Sequence, residues 1–386
     1  MARPLRILVV GTGIGGLVTG LELRRAGYDV HIYEQRHDLR PADAGLVLWP
    51  NAVKVLNALG LRERLAGIMA RLEHFSVRSA DDELLRSFPV HGCMQHTGTA
   101  VYLVGRHDFQ SVLLQATEMD RLHLGTECVG VEQDDTSISV RFAHGQRATA
   151  DMVVGADGIH SVVRRHLFPE SAESYAGFGH WVSTVPNDGL LAPGSGVEYL
   201  GAGKRVSMLP LRDNRIYCAF AATMERGALP PSGGWLQSLT ELFGEWPAPV
   251  GQLLERLDDR QIKQFEVQCL EPLPHLSVGR ATLVGDAAHA SVATLGQGAC
   301  LAIEDAVHLT RALAATDLGV ADALRRYEVQ RRARMQALVV DSRRLADTLY
   351  AGQAPVRDYA DANVRATSLG HILAHLEWVV RGGPFG

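Results

Sequence analysis

A glycine-rich turn near the start of the chain has the residue types and spacing that hold a dinucleotide phosphate. Gly11, Gly13 and Gly16 follow the apolar run Leu5–Val10 in the pattern G-x-G-x-x-G, with Gly15 between the last two. The first glycine of such a pattern permits a tight turn, the second lets the backbone approach a pyrophosphate, and the last lets a helix pack on the strand. The N-terminus of that helix offers unpaired N–H groups to the phosphates. The motif predicts a dinucleotide site.

An acidic residue after the next strand indicates which dinucleotide is held. Leu17–Ala26 has helical spacing and stops at Gly27, and Asp29–Tyr33 alternates as a strand before Glu34. A carboxylate at this position accepts hydrogen bonds from a ribose diol and repels a 2′-phosphate. The site therefore favours FAD or NAD over NADP, and we place Gln35 in the same site.

Two further apolar strands end in glycine–acid turns. Asp151–Val154 leads into Gly155–Gly158, and Ala281–Val284 leads into Gly285-Asp286. The sequence between and after these turns alternates between strand and helix patterns. We predict antiparallel strands over 177–224, a helical stretch over 235–257, a helix over 296–315 and an Arg-rich amphipathic helix over 320–350.

This order of elements, with no linker tract, predicts two interleaved domains. The fold class is α/β: a Rossmann-like domain that binds FAD or NAD, a smaller antiparallel-sheet substrate domain, and C-terminal helices. The predicted boundaries are 1–75, 100–176 and 270–320 for the discontinuous Rossmann-like domain, 76–99 and 177–269 for the substrate domain, and 321–386 for the C-terminal helical region.

Composition excludes several classes of function. The 386 residues carry a net charge of −5, which argues against general nucleic-acid binding. The longest apolar runs fall short of the roughly 18 residues that span a membrane, so no stable membrane association is expected. The five cysteines are scattered without metal-ligand spacing, which predicts reduced thiols, a cytoplasmic location and no metal site. They are Cys93, Cys128, Cys218, Cys269 and Cys300.

The glycine-rich turn Gly11–Gly16 and the two later glycine–acid turns, taken together with Glu34, resemble the class A (single-component) FAD-dependent aromatic hydroxylases over nearly the whole chain. The later motifs that carry this resemblance are Gly155–Arg164, Leu283–His289, Gly296-Gln297-Gly298 and Glu304-Asp305-Ala306. Within that family, the chain is most similar to the FAD-dependent urate hydroxylase and 6-hydroxynicotinate-type branch.

The resemblance implies a cofactor and a reaction. FAD stays bound, NADH or NADPH binds transiently and reduces it, and O2 then forms a flavin C4a-hydroperoxide that hydroxylates a small aromatic or heteroaromatic substrate. Epoxidation or oxidative decarboxylation on the same fold is an alternative, as is an FAD reductase or binding protein that does no oxygenation. A monomer or a homodimer is expected.

The resemblance also transfers cofactor contacts onto positions of this chain. Arg106 has the alternative of a surface salt bridge, Asp286 that of a turn cap, and both Asp157 and Arg164 that of a structural role. The transferred cofactor positions are Val47, Arg106, Val129, Asp157, Asp286, Gly296, Gln297, Gly298, Ala299 and Cys300.

On the substrate side, we expect Arg205, Tyr217 and His180 to orient and activate the substrate, with Thr294 and Leu295 lining its site. The urate branch has an acid at the position of Thr294, and that acid pairs with the arginine. Its loss predicts that Arg205 has no acidic partner and that the substrate is an anion. The alternatives are that Tyr217 is an ordinary strand aromatic, His180 a satisfied polar group, and Arg205 a sheet residue bonded elsewhere.

Overall fold

The computed structural model describes residues 3–39, 44–90, 97–117, 119–229, 231–232, 234–315, 319–350 and 369–385. Cys93 lies outside the described residues, and the other four cysteines are free thiols.

The described strands are numbered in chain order. They are β1 Arg6–Val10, β2 Asp29–Tyr33, β3 Gly45–Leu48, β4 Ala70–Leu72, β5 His74–Ser79, β6 Leu84–Pro89, β7 Val101–Gly105, β8 Leu122–His123, β9 Cys128–Gln133, β10 Ile138–Phe142, β11 Arg147–Ala150, β12 Met152–Gly155, β13 Glu173–Pro186, β14 Ser195–Gly201, β15 Lys204–Leu211, β16 Arg215–Thr223, β17 Lys263–Leu270, β18 Ser277–Val278 and β19 Ala281–Leu283.

The described α-helices are numbered in the same way. They are α1 Ile14–Arg25, α2 Pro50–Ala58, α3 Arg62–Ala66, α4 Arg106–Ala116, α5 Val162–Leu167, α6 Gly234–Phe243, α7 Ala248–Glu255, α8 Asp286–His289, α9 Gly298–Ala314, α10 Val320–Leu349 and α11 Leu369–Arg381.

The first of two large sheets contains the strands that precede the turn Gly11–Gly16 and the two glycine–acid turns. Its order is β18-β19-β12-β1-β2-β8, and β1 pairs in parallel with both β2 and β12. Ile7, Leu8 and Val9 are fully buried, as expected for a strand covered on both faces. The carboxyl ends of β1, β12 and β19 therefore lie side by side, which brings their three turns together.

The second large sheet is mostly antiparallel and has different surroundings on its two faces. Its order is β17-β13-β16-β15-β14-β5-β6. On β15, Val206 and Met208 point into a core shared with α6 and α7, whereas Arg205 and Ser207 point to the other face. The turn at Asp213-Asn214 joins β15 to β16, with φ of 58° and 54° as a tight hairpin requires.

The fold class predicted from the sequence is confirmed, with one local correction. The stretch 235–257, predicted as one helical segment, forms two helices, because Pro247 is the N-cap residue of α7 and cannot continue α6. The domain boundaries stay a prediction. Among the described helices, none is both long and apolar enough to cross a membrane.

Candidate active site

One groove joins the glycine-rich turn to the free face of the second sheet. Its volume is about 1680 Å³, larger than the roughly 300–1,000 Å³ of a site for one small ligand. It can hold a dinucleotide and a second small molecule at once. Predicted cofactor residues that line it are Gly11, Gly13, Gly15, Glu34, Gln35, Val47, Arg106, Asp157, Asp286, Gly296, Gly298 and Ala299.

The backbone at the start of α1 leaves room for a phosphate group. A Cβ on Gly11, where φ is 108°, would lie 2.3 Å from the carbonyl oxygen of Ala156, so only glycine fits. A Cβ on Gly13 would meet nothing within 4 Å, which shows that this position opens into the groove. No side chain caps α1, so its first N–H groups are available to a pyrophosphate.

Glu34 is held in place at the end of β2. Its Oε2 accepts hydrogen bonds from Thr12 N at 3.1 Å and Thr12 Oγ1 at 2.5 Å, and its Oε1 accepts one from Arg36 N at 2.9 Å. Gln110 Nε2 donates to the carbonyl oxygen of Thr12 at 2.9 Å and fixes the same turn. The carboxylate is therefore pre-positioned at the edge of the groove, and the geometry fits the predicted contact with a ribose diol.

The third motif contributes an exposed carboxylate and a helix N-terminus. Asp286 follows Gly285, which has φ of 59°, and its side chain is exposed in the groove. Gly296 adopts a left-handed conformation with φ of 61°, and the chain then enters α9 without a side-chain cap. The N–H groups at Gly298 are thus free to stabilise negative charge on a bound group.

Four predicted cofactor residues do not line the groove. A Cβ on Gly16 would lie 2.1 Å from the carbonyl oxygen of Gly11, so this glycine permits close packing of α1. Val129 lies on β9, where the groove is lined by its neighbours Glu127 and Cys128 instead. The cofactor contacts of Gly16 and Val129 stay predictions.

The other two, Gln297 and Cys300, are buried beneath the groove wall. Gln297 Oε1 accepts a hydrogen bond from Asn51 Nδ2 at 3.1 Å. The thiol of Cys300 donates to the carbonyl oxygen of Val47 at 3.5 Å and accepts from Trp49 N at 3.5 Å. Both side chains therefore attach the β3–α2 connection to α9, whatever contact they make with a cofactor.

Asp157 and Arg164 form structural bonds around α5. Asp157 accepts hydrogen bonds from Ser161 Oγ at 2.5 Å and Val162 N at 2.7 Å, which caps the helix, although it also lines the groove. Arg164 is fully buried, pairs with Glu173 and donates to the carbonyl oxygen of Ile159 at 2.6 Å. The structural alternative for Arg164 is thus supported by its contacts.

A buried set of charges lies behind the third motif, and sequence reasoning missed most of it. We call Glu304, Asp305, Arg331 and Arg334 the charge cluster. Arg331 donates to Glu304 at 2.7 Å and to Asp305 at 2.9 Å, and Arg334 donates to both oxygens of Glu304 at 3.0 and 2.8 Å. The two carboxylates are adjacent in sequence, but their arginine partners lie on a different helix, α10.

The charge cluster also holds the turn that carries Asp286. Asp305 Oδ2 accepts hydrogen bonds from Gly285 N at 3.0 Å and from His289 Nε2 at 2.7 Å. Burial alone raises the pKa of Asp305, but His289 and Arg331 lower it to about 2. Asp305 is therefore ionised at neutral pH and fixes the backbone next to the exposed carboxylate.

The other end of the groove is formed by one face of the second sheet. His180, Arg205 and Tyr217, predicted to orient and activate a substrate, all line this end, which we call the aromatic end. A Cβ on Gly45 would lie 2.3 Å from Tyr217 Cγ, so the phenol ring packs directly against the backbone of β3. Apolar side chains complete the walls, namely Leu72, Phe75, Phe88, Val90, Val182 and Leu209.

The prediction that Arg205 has no acidic partner is wrong. Its Nε lies 3.7 Å from Oε2 of Glu198 on the neighbouring strand, and we call these two residues the groove pair. This separation gives an ion pair but no hydrogen bond, and Nε has no hydrogen-bond partner among the described residues. Sequence reasoning missed Glu198 because the contact depends on the register of β14 against β15.

The environment fixes the protonation states of the other two predicted substrate residues. Burial, with a smaller contribution from the Arg205 cation, lowers the pKa of His180 to about 3, so this ring is neutral at neutral pH. Burial raises the pKa of the Tyr217 phenol well above its usual value. Tyr217 is therefore a hydrogen-bond donor and not a base.

Thr294 and Leu295 also line the groove, next to Gly296. The hydroxyl of Thr294 donates to the carbonyl oxygen of Ser342 on α10 at 2.6 Å. Thr294 therefore ties this edge of the groove to α10, while Leu295 adds apolar surface between the two ends.

Comparisons with known proteins agree with this geometry. The family described as "FAD binding domain" matches residues 5–342. The chain is 30% identical to a FAD-dependent urate hydroxylase of Klebsiella pneumoniae, covering 99% of this chain and 100% of that protein. It is 32% identical to a 3-amino-4-hydroxybenzoate 2-monooxygenase of Streptomyces cremeus, covering 98% and 95%.

A solved structure of the Klebsiella pneumoniae protein HpxO with FAD and uric acid superimposes with a TM-score of 0.93. It is 30% identical and covers 99% of this chain and 98% of that one. The family match spans most of the chain, and the alignments to these flavoprotein monooxygenases cover nearly the whole length of both proteins. This chain therefore belongs to the FAD binding domain family and is a class A, FAD-dependent monooxygenase.

Proposed function

We propose that this enzyme consumes NADH or NADPH and O2 to hydroxylate a small aromatic or heteroaromatic substrate. One observation carries the proposal: a single groove connects the dinucleotide-binding turns to a pocket with charged, polar and apolar walls. Such a groove allows a planar substrate to lie beside the reactive end of a bound cofactor.

The residues present fit FAD. Gly13 and the uncapped start of α1 suit its pyrophosphate, Glu34 suits its adenosine ribose, and Asp286 with the start of α9 lies further along the same groove. When bound, FAD supplies the redox chemistry, since it accepts a hydride from the nicotinamide and activates O2 for transfer to the substrate.

The protein contributes charge and orientation at the aromatic end. A ring is hydroxylated more readily when it is electron-rich, so an ionised or partly ionised ring oxygen helps the reaction. The Arg205 cation stabilises negative charge on such an oxygen. Tyr217 is positioned to donate a hydrogen bond, and neutral His180 has a ring nitrogen, Nε2, with no hydrogen-bond partner among the described residues.

The apolar walls contribute by excluding water. Phe75, Phe88, Val182 and Leu209 surround the substrate position with hydrocarbon. A dry pocket strengthens the interactions made by Arg205 and protects reactive intermediates from hydrolysis.

The printed activities of the relatives support a small cyclic substrate. One is named for urate and another for 3-amino-4-hydroxybenzoate. Both compounds are planar rings with oxygen substituents, which suit the Arg205 cation and the Tyr217 donor, and they define the first compounds to test.

The proposal is tested with the purified FAD-loaded protein and a panel of purines, phenols and aromatic acids. We expect at least one compound to stimulate NADH or NADPH oxidation and to be recovered with one added oxygen atom. Catalase and peroxide detection serve as controls. If every compound gave only hydrogen peroxide, or no stimulation, the enzyme would be a reductase and the proposal would be wrong.

A further inference from the structure

We propose that Glu198 is a specificity-determining residue, which acts as the acceptor half of a donor–acceptor pair with Arg205. The inference rests on the proposed function, because it names the substrate class of the same site. That class is a planar ring that carries an N–H or O–H donor next to an acceptor oxygen.

The strand register places both members of the groove pair on the same face. Glu198 on β14 lies opposite Ser207 on β15, and Leu200 lies opposite Arg205. Side chains alternate along a strand, so Val197 and Tyr199 enter the core beneath the sheet. Glu198, Ser207 and Arg205 consequently all line the groove.

The contacts of Glu198 leave it ready to accept a further hydrogen bond. Ser207 Oγ donates to Glu198 Oε2 at 3.0 Å, which fixes the carboxylate. This is the one hydrogen bond that the described residues give Glu198, so Oε1 is still an acceptor.

Arg205, in contrast, has hydrogen-bond donors that lack acceptors. Its guanidinium carries five N–H donors, and none of them donates to a side chain or backbone oxygen among the described residues. Arg205 is nevertheless buried, with only 7% of its surface exposed. A buried cation with unused donors calls for an oxygen from a ligand, because leaving such donors unpaired is unfavourable.

Small side chains lie next to the groove pair on the same sheet. Ser207 pairs with Ala219, and Ala219 pairs with Val182, so a row of small side chains continues from the groove pair across the sheet. Both Ala219 and Val182 line the groove. A ring lying over this row presents its edge to Glu198 and Arg205 together.

The charges of the pair add a selection against simple anions. A carboxylate without a neighbouring donor would gain the attraction of Arg205 but would also face the negative Glu198 at short range. A ring that offers N–H or O–H to Glu198 and an oxygen to Arg205 satisfies both. Rejection by an unsatisfied polar group is the strong form of discrimination.

Two matched pairs of probes test this inference. Anthranilate and benzoate differ by one amino group, which places N–H donors next to the carboxylate, and uric acid and its tetramethyl derivative differ by all N–H donors. The probe that lacks donors is smaller in the first pair and larger in the second, which separates donor loss from size. Dissociation constants are read from the flavin absorbance of the FAD-loaded full-length protein, without nicotinamide.

We expect the native protein to bind the donor-bearing probe at least about tenfold more tightly in each pair. Glu198→Gln keeps the size but removes the charge, so this ratio should fall by about fivefold or more, and benzoate should bind more tightly than before. Ser207→Ala releases the carboxylate without removing it and should lower the ratio by less. Glu245→Gln, an exposed glutamate outside the groove, is the charge-matched control and should change nothing.

An unchanged ratio in FAD-loaded Glu198→Gln would overturn the inference, as would a native protein that binds no donor-bearing probe more tightly than its match. If Glu198→Gln failed to retain FAD, Ser207→Ala would decide, and an unchanged ratio there would overturn the inference equally. Binding is measured without turnover, so a failure of oxygenation would not change these dissociation constants. An unchanged binding ratio, in turn, would not show that the enzyme fails to oxygenate its substrate.

Discussion

The charge cluster and the groove pair are built from the same ionised groups, but they differ in how completely those groups are bonded. In the charge cluster, both arginines donate to the carboxylates at 2.7–3.0 Å, and Arg331 is entirely buried. In the groove pair, Arg205 lies 3.7 Å from Glu198 and makes no hydrogen bond to it. The first region is satisfied within the protein, and the second is not.

This difference separates support from recognition. The charge cluster fixes the backbone of Gly285, and through it the turn that carries Asp286, without facing the groove itself. The groove pair lines the groove, and its guanidinium N–H groups and one carboxylate oxygen make no hydrogen bond to the described residues. Saturated buried charges stabilise one arrangement of the chain, whereas unsaturated ones beside a cavity are available to a ligand.

The largest effect is expected from removing a cation of the charge cluster. Arg331→Met leaves Glu304 and Asp305 buried with one partner fewer, which should lower the free energy of unfolding by about 3–5 kcal/mol. The measurement is urea unfolding followed by circular dichroism, with Arg332→Met, whose side chain is only partly buried, as the matched control. A loss below about 1 kcal/mol would show that the cluster is not a structural support.

The next effect concerns the turn that the charge cluster supports. Asp286→Ala removes a groove carboxylate and should weaken FAD binding by about 5- to 150-fold, equivalent to about 1–3 kcal/mol. The fold should persist, because Asp286 is exposed and makes no hydrogen bond to the described residues. Titration of the apoprotein with FAD, followed by flavin fluorescence, gives the affinity. Unchanged binding would remove Asp286 from the cofactor site.

A smaller change in stability, but a clear change in activity, is expected for the groove pair. Arg205→Met keeps the bulk of the side chain and removes its charge, so substrate-stimulated NADH or NADPH oxidation should fall at least about tenfold. FAD content should be unchanged, and the free energy of unfolding should change by less than about 1 kcal/mol. If Arg205→Met lowered the free energy of unfolding as much as Arg331→Met, Arg205 would be a structural charge. The distinction between the groove pair and the charge cluster would then be wrong.

The smallest effect distinguishes the two regions by their response to acid. His180 has a folded-state pKa of about 3, below the usual value near 6.5, so protons favour the unfolded chain as the pH falls below about 6.5. His180→Asn should remove about 1 kcal/mol of the stability lost between about pH 6.5 and pH 5, because His180 is only partly buried and the full effect is therefore reduced.

Asp305 gives the matching control at lower pH. Its pKa of about 2 lies below the unfolded value near 3.9, so its contribution is complete above about pH 4 and is lost as the pH falls toward about 2. Asp305→Asn should therefore leave the loss between about pH 6.5 and pH 5 as it is in the native protein. Equal acid profiles for the native protein and His180→Asn would contradict the assignment of a neutral His180.

The dinucleotide end could be predicted from sequence because its signals are local. Gly11, Gly13 and Gly16 are set by a short turn, and Glu34 follows on the adjacent parallel strand, so spacing alone brings them together. Within the antiparallel strands predicted over 177–224, simple alternation likewise puts Arg205 and Ser207 on one face, as they are in β15.

The pairing of charges could not be predicted in the same way. Asn51 meets Glu304 at 2.6 Å across 253 residues of sequence, and Arg331 reaches Glu304 from a separate helix, so no spacing rule connects them. The partner of Arg205 depends on the register between β14 and β15, which a one-residue shift would reverse. The expectation of an unpaired Arg205 is wrong because it depends on position 294 alone, whereas the acidic partner lies on the neighbouring strand.

The most direct test of the central claim is the fate of O2 at the aromatic end. The FAD-loaded enzyme is supplied with isotopically labelled O2, NADH or NADPH, and a compound that stimulates oxidation, and the product is examined by mass spectrometry. We predict one labelled oxygen atom in the product for each nicotinamide oxidised, and a much lower yield in Arg205→Met with the same FAD content. Label recovered only as hydrogen peroxide or water, with unmodified substrate, would contradict the claim that this groove performs a hydroxylation.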